Sequence, residues 1–127
     1  MAVAAALQRI DKTRRTVRRV VRLTFTGDYA NTGTTGDLVD FTAMTNPNNL
    51  ERSRPPRIPV GNQYAIRHAN VPGFVVVLSI GTTMAAAFGV RFFQSDDAVD
   101  PLDEIANGAY AAAITGGFVD IEISLPW

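Results

Sequence analysis

The sequence predicts an all-β protein: a single-domain β-sandwich or jelly-roll-like barrel with long loops and an extended basic N-terminal arm. Three observations lead there. Short apolar or alternating runs rich in Val, Ile and Phe recur along the chain, glycine- and proline-bearing turns separate them, and helix-forming runs are scarce. At 127 residues and 46% hydrophobic content, the chain fits one domain with a substantial core.

The elements follow in order. The alanine-rich residues 2–10, with Leu7 and Ile10 three apart, suit a short helix. Residues 16–26 favour a strand, because β-branched residues dominate and Val17, Val21, Leu23 and Phe25 share one face with Arg19 as the exception. The division is therefore an arm over 1–15 and a β-sandwich domain over 16–127. Residues 28–37 (DYANTGTTGD) read as loop, and Leu38, Val39 and Phe41 as a short strand. Residues 45–59 hold four prolines and predict a long loop ordered by contact with a partner. In 61–69, Tyr64 and Ile66 fall on one side and Arg67 on the other. Residues 74–80 (FVVVLSI) read as a strand buried on both faces, 88–94 (FGVRFFQ) as another, and 95–110 as an acidic loop with a helical turn at 101–106. In 118–127 the alternation sends Val119, Ile121, Ile123 and Leu125 to the core. The predicted core is Val75, Val77, Val90, Phe92, Ile121 and Ile123.

Charge is balanced in number, 12 basic against 12 acidic, but not in position. Residues 1–22 carry Arg9, Lys12, Arg14, Arg15, Arg18, Arg19 and Arg22 against Asp11, a net +6, and the remainder is −6. Such asymmetry points to contact with a surface of opposite sign. The candidate interface residues are Arg9, Arg14, Arg15, Arg18, Arg19 and Arg22, together with Arg52, Arg54, Pro55, Pro56 and Arg57 of the proline segment. Arginine suits carboxylate partners because its planar fork bonds them in pairs. Nucleic acid is the weaker reading, since the arm lacks the aromatic residues that stack on bases. No apolar run approaches the length that spans a bilayer, and the start does not read as a signal peptide, so a membrane partner is not expected.

Little of the sequence suggests chemistry. The chain has no cysteine, which removes disulfides, thiolate metal sites and cysteine nucleophiles. His68 is the one histidine, and Ser53, Ser79 and Ser124 sit in no nucleophile-elbow pattern. The acidic group Asp96, Asp97, Asp100, Asp103 and Glu104 lacks the glycine of an EF-hand loop and is interrupted by Pro101. The glycines at 33, 36, 116 and 117 do not open helices after strands, so they do not mark phosphate cradles. No catalytic residue, metal or cofactor is expected, and the protein reads as a non-enzyme.

Three stretches resemble small structural proteins of tailed bacteriophages: LTFTGDYANTGTTGDLVDFTAMTNPNNL (23–50), VRFFQSDDA (90–98) and EIANGAYAAAITGGFVDIEISLPW (104–127). The likeness rests on ordered turn residues and runs in patches over about residues 17–127. The PPRIP segment and the alanine-rich first ten residues depart from it. The resemblance implies a virion component similar to capsid decoration (cement) or minor head proteins. Its expected partners are the major capsid protein and further copies of itself, in a homotrimer. Its expected place is the outer capsid surface, after synthesis in the host cytoplasm. The alternatives are a tail or head–tail junction protein and a nucleic-acid-binding protein acting through the basic arm.

Overall fold

In a computed structural model of the chain, residues 3–31, 35–47, 50, 55–94 and 103–126 are described. The strands among them are β1 (Val3–Lys12), β2 (Thr16–Phe25), β3 (Asp28–Tyr29), β4 (Asp37–Val39), β5 (Tyr64–Asn70), β6 (Val75–Thr83), β7 (Ala86–Gln94), β8 (Asp103–Glu104), β9 (Gly108–Ala109) and β10 (Phe118–Pro126). Two 3-10 turns, Phe41–Ala43 and Gly61–Gln63, and the single-turn helix α1 (Ala112–Thr115) join them.

One sheet has the order β1-β2-β10-β5, and a second has the order β4-β7-β6 with β8 added to β7. Every pairing between named strands is antiparallel. The fold is thus the all-β sandwich that the alternating runs predict. Along β10, Val119, Ile121, Ile123 and Leu125 are all buried and point at the second sheet, as expected for a strand covered on one face. Val21, Leu23 and Phe25 of β2 meet Val90 and Phe92 of β7 in the same core. Phe25 packs edge-on against Phe92 at 5.0 Å between ring centres, and Phe88 of β7 lies 4.9 Å from Tyr64 and 5.5 Å from Phe41. Such edge-to-face pairs place the positive ring edge against the negative face of its neighbour.

Residues 3–12 do not form a free arm. β1 lies antiparallel to β2 from Val3↔Phe25 to Lys12↔Val17, and Val3, Ala5 and Leu7 enter the core. Strand pairing overrides the helix propensity of alanine because it buries Val3, Ala5 and Leu7 in the core, and tertiary context outweighs a weak local preference. Gln8 is the extra residue of a bulge, which shifts the register by one residue from Arg9 onward. The outer edge of β1 is then closed by Thr45, whose amide donates to the Ala5 carbonyl and whose carbonyl accepts from the Leu7 amide, both at 2.9 Å. The proposed boundary at residue 15 falls inside the β1–β2 turn.

A second correction concerns β6. Val75 and Val77 are exposed, at 45% and 42%, although the strand reads as a continuous apolar run. They stand opposite Phe93 and Arg91 on β7, whereas the core-facing residues of β7 are Phe92 and Val90, opposite Val76 and Leu78. Alternation therefore turns Val75 and Val77 outward, and β6 has a strand on one side only.

Smaller differences have local causes. The 28–37 stretch contributes the short β3, which pairs with β9, and the 103–104 part of the acidic loop is β8; residues 95–102 lie outside the described residues. Gly36, at φ 65°, crosses β7 so closely that a Cβ there would lie 2.2 Å from the Val90 carbonyl oxygen. Only glycine meets both conditions without strain.

Candidate interaction surfaces

The arginines of β2 alternate between the two faces of the sheet, and this alternation decides their roles. Arg19 lies in the inward series with Val17, Val21, Leu23 and Phe25 and is 1% exposed. It is therefore not a surface contact residue, which corrects its place among the interface candidates. Arg18, Val20 and Arg22 point outward, where their neighbours by register are Asp11, Arg9 and Ala6 on β1 and Ser124, Glu122 and Asp120 on β10.

On that outer face the opposite charges are close. Arg9 Nε donates to Asp11 Oδ2 at 2.9 Å, and Arg18 reaches Asp11 at 3.4 Å and Glu122 at 3.1 Å. Arg22 grips Asp120 with two parallel bonds of 2.9 and 3.0 Å, the fork geometry that suits guanidinium and carboxylate. This bonding to Asp120 raises the Arg22 pKa further above its ordinary value. The guanidinium also lies 3.7 Å from the centre of the Phe118 ring, with the ring of exposed His68 on the same phenyl group at 5.5 Å. Much of the positive charge at the start of the chain is thus matched by acids of β1 and β10 in the same sheet.

Other cations are placed for contact. Arg14 and Arg15 form the exposed tip of the β1–β2 hairpin. The hairpin is closed by Thr13 and Thr16, whose side-chain oxygens are 2.7 Å apart, and by the Thr13 amide donating to the Thr16 carbonyl at 2.9 Å. Thr16 pairs with Pro126, and Tyr64 at the start of β5 pairs with Ile123, so the chain leading into β5 arrives at this same end of the sheet. Arg57 belongs to that chain. It is exposed and donates to Gln63 Oε1 at 3.1 Å and to the Ile58 carbonyl at 3.3 Å. Gln63 Oε1 also accepts from the Val60 amide, which ties the proline segment to the turn before β5. Arg14, Arg15 and Arg57, distant in sequence, share one end of the sandwich.

The proline segment is partly anchored in the body. Pro55 and Pro59 are buried, Ile58 packs against the core, and Pro56 is exposed. Pro55 and Pro56 line a shallow cleft of about 330 Å³ together with Thr42 and Met84. Arg52 and Arg54 lie outside the described residues.

A buried polar cluster holds the far end. Tyr29 donates to Glu104 Oε2 at 2.5 Å, and Arg91 bonds the other oxygen of the same carboxylate from Nε at 3.0 Å. Tyr110 donates to Asp37, whose other oxygen accepts from the Ala30 amide at 3.0 Å. Burial, and then the bond to a carboxylate, push both phenols well above the ordinary tyrosine pKa. The cluster joins β3, β4, β7 and β8 around Tyr110, and every group has a role in packing. No local pattern marks it, because its members are spread from residue 29 to residue 110.

Among the described residues no group of three or more His, Cys, Asp or Glu is placed to hold a metal ion. No helix among them is long and apolar enough to cross a membrane. Comparison with protein families, characterised proteins and solved structures yields no match. The class that can be stated is therefore the architectural one, a small antiparallel β-sandwich.

Proposed function

We propose that the protein is a non-enzymatic virion component that binds the outside of a phage capsid and bridges neighbouring shell subunits, acting as a homotrimer. The observation that carries this reading is that exposed Arg14 and Arg15 at the hairpin tip and exposed Arg57, next in sequence to the cleft-lining Pro56, lie toward the same end of the sheet. Two exposed arginines at a hairpin tip add nothing to the core, but they can bond carboxylates on a neighbouring protein. The resemblance of residues 23–50, 90–98 and 104–127 to tailed-phage structural proteins supports the major capsid protein as the partner. Adding contacts across subunit boundaries resists shell opening, and three linked copies hold more tightly than one.

The test is co-sedimentation of the protein with undecorated capsids of its phage, at low and high salt. The Arg14→Ser/Arg15→Ser/Arg57→Ser variant is expected to keep its circular dichroism spectrum and lose most capsid binding. Added salt should weaken wild-type binding, because charged contacts at a rim are screened. Binding by the folded variant as tight as wild type would remove the basic end from the attachment surface. Steep salt-dependent binding to DNA with none to capsids would replace the reading with a nucleic-acid one.

A further inference from the structure

The end of the sandwich away from Arg14 and Arg15 holds a second cleft. β2 runs from the hairpin tip to Phe25, Phe25 packs on Phe92, and Gln94 ends β7 two residues later. β6 begins at Val75 opposite Phe93, so Phe74 comes next on one strand as Gln94 does on the other. Both line a cleft of about 300 Å³ together with Ile105 and residues 106–109 and 111. The chain from 105 to 110 is held by bonds to other segments. The Ile105 amide donates to the Phe92 carbonyl at 3.0 Å, the Ile105 carbonyl accepts from Asn31 Nδ2 at 2.9 Å, and the Tyr110 amide donates to the Gly27 carbonyl at 3.3 Å. The Asn31 backbone amide donates to Asn107 Oδ1 at 2.5 Å. That bond decides which end of the Asn107 side chain is oxygen, and it leaves the NH2 group as a donor with no partner among the described residues. Gln94 is exposed, and its amide makes no side-chain hydrogen bond among the described residues. Gly108, at φ 131°, leaves its backbone bare, with no atom within 4 Å of where a Cβ would stand. Every described residue lining the cleft is uncharged.

We propose that this cleft binds one uncharged sugar ring, with half-buried Phe74 against the face of the ring and the amides of Gln94 and Asn107 against its hydroxyls. The chemistry of the lining selects the ligand. A sugar has a face of C–H groups, which are drawn to the negative face of a phenyl ring, and an edge of hydroxyls that each donate and accept. Gln94 offers such an edge both an NH2 donor and an oxygen acceptor, and Asn107 adds a second donor. A charged ligand finds no counter-charge among the described lining residues. A nucleotide is disfavoured for the same reason: exposed Arg14, Arg15 and Arg57, the groups suited to phosphate, lie toward the opposite end. The volume stands at the lower limit for small-molecule sites, which suits one ring and not a chain of them. Because the wall over 105–110 is already fixed, binding orders little of the protein. The inference stands on this cleft alone and not on the capsid reading.

Amide NMR titration of the full chain tests it, with glucose, galactose, mannose, rhamnose, fucose, xylose, N-acetylglucosamine and N-acetylgalactosamine as probes. At least one is expected to bind with a dissociation constant in the millimolar range, as befits so small a ligand, and to shift the amides of Gln94 and of residues 105–109. Gln94→Ala removes one hydrogen-bonding group from an exposed position, and Phe74→Leu keeps apolar volume while removing the ring. Each should weaken that binding by about fivefold or more with an unchanged circular dichroism spectrum. The Arg14→Ser/Arg15→Ser/Arg57→Ser variant should bind the sugar as wild type does, which separates this site from capsid attachment. Absence of any shift across the panel would overturn the inference, and so would shifts confined to other parts of the chain. Equal binding by wild type and both folded cleft variants would overturn it too. Tighter binding of glucuronate or adenosine than of every neutral sugar would replace the ligand class.

Discussion

Replacing Leu7 by alanine tests whether the first residues belong to the core. Leu7 is fully buried, stands opposite Val21, and lies in the cluster that includes Val3, Leu23 and Ile121. The substitution removes three carbon groups, worth about 0.8 kcal/mol each in transfer from water. A cavity that the neighbours do not fill adds more, so the total should be about 2–5 kcal/mol. Two features favour the upper half of that range. The backbone on both sides of Leu7 is fixed, by β2 on one side and by the two bonds to Thr45 on the other. A strand held in this way cannot move inward to fill the space. The assay is urea unfolding followed by circular dichroism, with the midpoint and slope compared with wild type. A loss below about 0.5 kcal/mol would show that Leu7 is not buried and that residues 3–12 are a dispensable arm after all. Deletion of residues 1–12 should prevent folding, since it removes Val3, Ala5 and Leu7 and exposes the inner edge of β2.

Two further outcomes follow from the core and the polar cluster. Ile121→Ala, fully buried on the central strand β10, should cost about 2–5 kcal/mol in the same urea assay; a loss under about 0.5 kcal/mol would mean that the register of β10 is wrong. Alkaline pH should destabilise the protein. Tyr29 and Tyr110 have raised pKa values in the folded state, so the fold keeps both protons where an unfolded chain begins to lose them, near about pH 10. Their stabilising contribution is fully present below that pH and declines above it. The urea midpoint should fall across this range, less steeply in Tyr110→Phe than in wild type, and equal slopes for the two proteins would refute the assignment.

Sequence pattern revealed the elements better than their surroundings. β10 was legible because its apolar residues alternate cleanly, and its four inward residues are those expected. β2 was legible too, including Arg19 as the polar member of an inward face. β6 was misread for a physical reason: an apolar strand carries the same run of side chains whether it is central or at an edge, and only its neighbours decide exposure. β1 was misread because alanine favours helix in isolation, while its pairing with β2 depends on a turn of two arginines that carries no strong turn signal. The basic end was hidden for a similar reason. Arg57 comes toward the same end of the sheet as Arg14 and Arg15 only through the registers of β5 and β2 on β10, which pair segments far apart in sequence.

The charge asymmetry has a different meaning in the fold from its meaning in the sequence. Counted by position, +6 sits before −6, and an unmatched arm seems to need an outside partner. Strand order changes this, because β10, from the end of the chain, lies beside β2, from its beginning. Asp120 and Glu122 then stand within reach of Arg22 and Arg18, and Asp11 across from Arg18 on β1. The more exposed pairs of Arg18 add little stability, typically under about 1 kcal/mol each, but like charges in any of these places would oppose the pairing of the strands. The arginines of β2 therefore help to specify which strands lie together. Among the described residues, Arg14 and Arg15 at the hairpin tip and Arg57 in the proline segment stand outside these strand-to-strand pairs. The face of the sandwich and its end thus use the same residue type for different purposes, and the alternation of the strand separates the two.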